Sequence, residues 1–177
     1  LWKGKRPDDM YHSTFSMTRE TMGIICKFLG MSERFARVDS RLDEKWDGIF
    51  HELSKAELAE RYPDQVRLRK RAGYYHYRAP GGENGPDVEA RIRSFFSDPV
   101  LSLRDRHVMI VGHGRWLIFL QKLIHDLSVE RLLELKEASL PNCSIAVYDY
   151  NNYSRTNIPV TVNPWEGKLP IEEGEFA

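Results

Sequence analysis

A run of consecutive apolar residues within RHVMIVG (106–112) limits the fold of this chain more than any other segment. The apolar residues do not alternate with polar ones, which is expected for a strand that protein covers on both faces. A Gly-His-Gly triplet follows at 112–114, and the next stretch, 116–127, has helical character and is apolar on most sides. Strands covered in this way occur in parallel sheets between helices, so the segment predicts an α/β fold.

Other segments extend this pattern in both directions. The helix predicted at 15–29 carries Met17, Thr21, Ile24 and Phe28 at helical spacing, and Gly30 stands where it should end. Residues 64–84 show no clear period. The remaining expected elements are strands at 10–13, 144–150 and 159–163, and helices at 54–63, 86–96 and 128–138, the first of which should start with a capping box of Ser54 and Glu57. Because strands alternate with helices, we predict a three-layer α/β/α fold with a largely parallel sheet and helices on both faces.

Composition narrows the possible classes of function. A chain of 177 residues with 41% hydrophobic content suits one domain, 1–177, with a loose acidic tail from about 165. The 26 basic and 26 acidic side chains cancel, which argues against a general nucleic-acid binder. No apolar run approaches the ~20 residues of a membrane span. Cys26 and Cys143 lack metal-ligand spacing and suggest reduced thiols in a cytoplasmic protein, with no metal and no cofactor.

The Gly-His-Gly triplet is the clearest candidate site. In an open α/β sheet, ligands bind beyond the carboxyl ends of the strands, and His113 stands at such an end. Gly112 and Gly114 allow close approach, and the following helix directs free N–H groups and a partial positive charge at the same point. These features predict an anion site, most simply for phosphate. From these residues alone, a histidine that only caps or packs is an equal alternative.

Four segments, in order, resemble the histidine phosphatase superfamily, the phosphoglycerate mutase-like proteins. They are YHSTFSMTRET (11–21), LDEKWDG (42–48), PGGENGPDVEARI (80–92), and VMIVGHGRWLIFLQKLI (108–124) followed by LPNCSIAVYDY (140–150). The resemblance implies a phosphoglycerate mutase-like fold and phosphoryl transfer through a phosphohistidine, from a phosphorylated small molecule. It also implies that Glu44 is the acid that protonates the leaving oxygen. His113, beside Gly114, matches the second histidine, which holds the phosphate.

The chain departs from the family pattern in two ways. The Arg-His-Gly motif of the nucleophile is not among the 177 residues, nor are counterparts of the family's first strand and first helix. We therefore expect an upstream segment or another chain to supply that strand. Met17 aligns with a phosphate-binding arginine, and Arg19 lies about 200° round the helix from it. The lost arginine contacts are worth roughly 1.5–3 kcal/mol each, which weakens an enzyme, whereas a lost nucleophile abolishes the covalent route.

Three functions stay open on this basis: a phosphatase, a catalytically inactive relative that binds a phosphorylated ligand or a partner, and a mutase. The basic segment RLRKRAGYYHYR (67–78) falls in the family's variable cap, here about 54–82. Recognition of substrate, a solvated surface and nucleic-acid binding are the three interpretations of this segment. The candidate substrate contacts are Arg19, Arg69, Arg71 and Arg115, and a homodimer is possible.

Overall fold

The computed structural model describes residues 6–98, 106–138 and 140–148, together with the backbone of 160–162. Strands and helices alternate along most of the chain. The elements are β1 (Asp9–His12), α1 (Ser16–Leu29), β2 (Ala36–Val38), α2 (Lys55–Arg61), α3 (Pro63–His76), α4 (Gly85–Phe96), β3 (Val108–Val111), α5 (Gly114–His125), α6 (Val129–Ala138), β4 (Ile145–Val147) and β5 (Val160–Val162). Short 3-10 helices occur at Glu33–Phe35, Ser40–Leu42 and Gly48–Phe50.

The main sheet has three parallel strands in the order β2-β1-β3, with Met10 opposite both Ala36 and Met109. Strands β4 and β5 pair antiparallel in a separate sheet. The predicted parallel α/β sheet is therefore confirmed. Among the described residues, however, β3 has a strand partner on one edge only. No helix in the described ranges is long and apolar enough to cross a membrane.

Alternate residues of the strands face two helical layers. Met10 of β1 packs with Met22 and Cys26 of α1, and Met109 of β3 joins that cluster. The opposite face carries Tyr11, which belongs to the larger core formed by α4, α5 and α6, whose buried members include Val88, Ile92, Phe95, Phe119 and Leu132. Helices thus cover both faces of the sheet, and the three-layer prediction is confirmed.

The predicted apolar face of α1 was wrong, although the helix and its Gly30 terminus were right. Met17, Ile24 and Phe28 are 61%, 71% and 89% exposed. The buried residues are Thr18, Met22 and Cys26 instead. Helix α1 carries two apolar stripes, and the three-stranded sheet covers only the one that contains Met22. The exposed stripe faces away from the sheet.

Helix α3 was not predicted, because basic residues dominate it and leave little apolar period. It bends at Gly73, whose φ of 77° lies in the left-handed region. The predicted capping box of α2, Ser54 with Glu57, is confirmed. Helix α5 begins at Gly114, two residues earlier than predicted, and β2 was missed because it is only three residues long. The predicted tail at 165–177 lies outside the described residues.

Candidate active site

His113 lies between the end of β3 and the start of α5. It is the N-terminal capping residue of α5, and no side chain caps the first turn of that helix. A Cβ added at Gly114 would meet no atom within 4 Å, so the space beside the first turn is open. Uncapped N–H groups and the positive end of the helix dipole favour an anion at this position. The sequence prediction of where His113 lies is therefore matched by the geometry.

The imidazole of His113 is fixed by contacts with the end of β1. Ser13 is fully buried, and its Oγ lies 2.7 Å from His113 Nε2. The same Oγ lies 2.7 Å from Thr18 Oγ1, in the first turn of α1. The ring of Phe15 meets the His113 ring edge-on, with centroids 4.8 Å apart. These contacts form because parallel pairing of β1 with β3 brings the carboxyl ends of both strands to one edge.

Two carboxylates from the loop after β2 lie near His113. Burial lowers the pKa of His113 below its ordinary value of 6.5, while the charges of Glu44 and Asp43 act in the opposite direction and those of Arg91 and Arg115 add to the lowering. Asp43 itself accepts hydrogen bonds from the backbone N–H and hydroxyl of Thr14, at 2.7 Å and 2.9–3.0 Å. The charge of Glu44 thus acts on His113, although 69 residues separate them in sequence.

Arg115 connects Glu44 to a buried charge network. Its Nε lies 3.5 Å from Glu44 Oε1, and its Nη1 donates to Asp47 Oδ2 at 2.5 Å. Nη2 donates to the Lys45 carbonyl at 3.0 Å. Lys45 is only 5% exposed, and its Nζ donates to the other oxygen of Asp47 at 3.0 Å. Burial raises the pKa of Asp47, but Arg115 and Lys45 outweigh that effect and the net pKa is lowered.

The turn formed by Pro80, Gly81, Gly82 and Glu83 holds the segment after Glu44 against the rest of the fold. Glu83 accepts from the backbone N–H of Trp46 at 2.9 Å and donates its own N–H to the Trp46 carbonyl at 2.8 Å. Side chains are excluded between the two segments, because a Cβ at Gly48 would lie 2.3 Å from the Pro80 carbonyl oxygen. A Cβ at Gly82 would likewise lie 2.8 Å from the Gly48 nitrogen. The glycines are needed for this close approach.

Helices α4 and α5 fix the segment before Glu44. The carbonyl of Arg41 accepts from Arg91 Nη1 at 2.8 Å and from Trp116 Nε1 at 2.9 Å. Arg91 also forms a salt bridge with Glu83 at 2.8 Å. The loop that carries Glu44 is therefore anchored on both sides, which limits the positions available to its carboxylate.

The other predicted site residues are more scattered. Arg69 stacks over the rings of Phe50 and Tyr74 and lines a small cavity with Lys45 and Asp47. Arg71 and Arg19 are exposed on α3 and α1. Met17 is exposed on the first turn of α1, and it is Thr18, the next residue, that reaches the Ser13–His113 pair. A role in substrate recognition for these arginines stays a prediction.

Sequence reasoning missed Ser13, Thr18, Lys45 and Asp47. Ser13 is the last residue of the strand predicted at 10–13, so the rule that ligands bind at the carboxyl ends of strands was a usable signal for it. Asp47 and Lys45 sit in the acidic loop beside Glu44, but nothing in that loop indicates their contact with Arg115, about 70 residues away.

Comparison with known proteins yields one family. The family model described as histidine phosphatase superfamily (branch 1) matches residues 1–160. A 2,3-bisphosphoglycerate-dependent phosphoglycerate mutase of Chelativorans sp. (strain BNC1) is 28% identical over 140 residues, which cover 77% of this chain and 67% of the mutase. A mutase of the same name from Gloeothece citriformis is 31% identical over 108 residues, covering 59% and 42%. In two further mutases the chain spans only 63% and 65% of their length.

Solved structures agree on the fold. A mycobacterial glucosyl-3-phosphoglycerate phosphatase in complex with VO3 has a TM-score of 0.61 and 26% identity, covering 80% of this chain and 69% of that one. A putative α-ribazole-5'-P phosphatase of Escherichia coli has a TM-score of 0.71 at 12% identity, covering 90% and 73%. The second likeness is one of fold alone.

Proposed function

The chain belongs to the histidine phosphatase superfamily, branch 1. We therefore propose that it is part of a phosphatase that transfers a phosphoryl group from a phosphomonoester through a phosphohistidine. The observations that support this most are the position of His113 at the uncapped N-terminus of α5 and the contact of the Glu44 carboxylate, at 3.5 Å, with Arg115 in the first turn of the same helix. An anion binder and a proton donor at one point are what cleavage of a phosphomonoester requires.

Each residue has a distinct role in this proposal. His113 and the first-turn N–H groups of α5 bind the phosphoryl oxygens and stabilise the charge that builds on them during transfer. Glu44 protonates the leaving oxygen. Arg115 contacts Glu44, Asp47 and the Lys45 carbonyl through its three nitrogens, so its role in this proposal is to hold Glu44 in position.

In this proposal the nucleophilic histidine lies outside the 177 residues, on a strand that pairs with the edge of β3 that has no strand partner among the described residues. One feature supports this: the four residues of β3 are apolar yet only half-buried. The intact mass of the protein purified from its source, together with the reading frame upstream of Leu1, tests it. An Arg-His-Gly motif upstream is expected, and its absence there would contradict the covalent mechanism.

Turnover of p-nitrophenyl phosphate by the protein from its source tests the phosphatase proposal. Replacing Glu44 by Gln should lower kcat by a factor of about 10² or more, because a positioned general acid contributes roughly 10²–10⁴. Glu52→Gln is the matched control, since that side chain is 84% exposed in the neighbouring loop. Equal activity of the two variants would remove Glu44 from the mechanism.

Two other functions are tested by the same preparation. A mutase is favoured by the names of the relatives in the sequence comparison, and it predicts isomerisation of 3-phosphoglycerate. An inactive relative is favoured by Met17 at the position where the family resemblance implies an arginine, and it predicts phosphate binding without turnover of either substrate.

A further inference from the structure

Ser13 has no role in the mechanism above, yet it is fully buried and contacts His113 directly. Its Oγ lies 2.7 Å from His113 Nε2 and 2.7 Å from Thr18 Oγ1, and it accepts a hydrogen bond from the backbone N–H of Phe15 at 3.3 Å. A hydroxyl has one hydrogen to donate, so the direction of this short chain determines which nitrogen of His113 carries its proton.

The direction follows from Thr18. Its hydroxyl also lies 2.8 Å from the Phe15 carbonyl and 3.2 Å from the Ser13 carbonyl, and neither oxygen can donate. When Thr18 donates to the Phe15 carbonyl, its oxygen accepts the hydrogen of Ser13. Ser13 has then used its only hydrogen, and its oxygen accepts from Nε2–H of His113. In this arrangement the neutral imidazole carries its proton on Nε2.

We infer that Ser13 is a positioning residue that fixes His113 as the Nε2–H tautomer and leaves Nδ1 to meet the phosphate as a hydrogen-bond acceptor. Nδ1 makes no hydrogen bond among the described residues. A phosphate dianion has only acceptors, so the two groups can bond only when a proton lies between Nδ1 and a phosphate oxygen. Binding of the dianion therefore takes up one proton, whereas the monoanion brings its own.

The surrounding charges allow this proton to be isolated experimentally. The charged groups that face His113 are Asp43 and Glu44 from the loop, Arg91 from α4 and Arg115 from α5. Ordinary carboxyl and guanidinium groups do not titrate between about pH 8 and 9, where free phosphate is the dianion. In this range the affinity for inorganic phosphate should fall about tenfold per pH unit, the dependence for one proton.

Only the part of this inference that concerns phosphate binding rests on the proposed function, because the tautomer of His113 can be measured without any ligand. Long-range ¹H–¹⁵N correlation spectra of the histidine rings, with His113 assigned by its loss in His113→Asn, should show the proton on Nε2. Thr18→Val keeps the side-chain shape, frees the hydrogen of Ser13 to bond Nε2, and should move the proton towards Nδ1. The Nδ1–H form donates to the dianion directly, so the affinity of this variant for phosphate should become nearly independent of pH between about pH 8 and 9.

Thr21→Ala is the control, because it removes an exposed hydroxyl of α1 that bonds only the Met17 carbonyl. It should change neither the tautomer nor the pH slope. A wild-type spectrum with the proton on Nδ1 overturns the inference whatever phosphate does, and so does a tautomer that Thr18→Val and Ser13→Ala both leave unchanged. An Nε2–H tautomer with no phosphate binding at any pH supports the positioning role and overturns the proposed function instead.

Discussion

Replacing Asp47 by Asn should destabilise the fold more than its partly exposed position suggests. Asp47 is the carboxylate shared by Lys45 and Arg115, at 3.0 and 2.5 Å. Arg115 retains Glu44 at 3.5 Å after the substitution, but the ammonium group of Lys45, which is 5% exposed, is left without an ionised partner in the set of described salt bridges. The burial of Lys45 therefore determines how much Asp47→Asn lowers the free energy of unfolding.

The magnitude follows from the burial of the two partners. Removing one member of a fully buried pair costs about 3–5 kcal/mol, and an exposed pair is worth about 0–1 kcal/mol. Asp47 is 29% exposed and Asn still offers an oxygen, so we expect a loss of about 2 kcal/mol in the free energy of unfolding. For a chain of this size, that lowers Tm by about 4–8 °C.

Urea denaturation followed by tryptophan fluorescence measures this loss, since the chain has four tryptophans. Asp64→Asn is the control, because its pair with Arg67 is 75–77% exposed. The double variant Lys45→Met/Asp47→Asn removes both charges and should recover at least half of the loss. If Asp47→Asn proves no more destabilising than Asp64→Asn, the buried ammonium group is not what determines stability here, and the reasoning fails.

Three further predictions concern the site and its response to pH. Met17→Arg should strengthen the binding of phosphate or vanadate by roughly 1.5–3 kcal/mol, about ten- to a hundredfold in Kd by titration calorimetry, and an unchanged Kd would mean that Met17 does not occupy the arginine position. Gly114→Ala should leave Tm within about 2 °C, because a Cβ there meets nothing within 4 Å, yet it should weaken phosphate binding. The control is Gly85→Ala, whose Cβ would lie 2.4 Å from the Tyr75 ring. An equal fall in Tm in the two variants would contradict an open anion site. The pKa values of Asp47 and Asp39 are lowered from 3.8, so the stability that these groups contribute is complete above that pH and is lost as the pH falls below it. Asp47→Asn should therefore flatten the decline in unfolding free energy between about pH 4 and 2. An unchanged decline would refute the role of Asp47.

The parts of the fold that were predictable from sequence are those encoded locally. The strand at 108–111, the glycines around His113 and the capping box at Ser54 each depend on neighbours in sequence, and all three were found. The contacts that complete the site depend on which strands pair. Ser13 meets His113 across 100 residues only because β1 lies beside β3.

The error in α1 has the same origin. Its sequence contains two apolar stripes, one with Met17, Ile24 and Phe28 and one with Met22 and Cys26. Helical periodicity identifies both but does not rank them. Only the partners decide, and Met10 and Met109 of the sheet select the second stripe. Helix α3 escaped prediction because basic residues dominate it and only Tyr75 is buried, which leaves little apolar period.

The edge of β3 that has no strand partner among the described residues also affects how this chain behaves while it folds. Val108–Val111 is apolar throughout and has neither the charged residue nor the proline with which proteins usually protect an edge strand. Strands of this kind pair with the same strand of another molecule, which is how intermolecular β-aggregates start. Recombinant expression and refolding should therefore give yields that fall steeply with protein concentration.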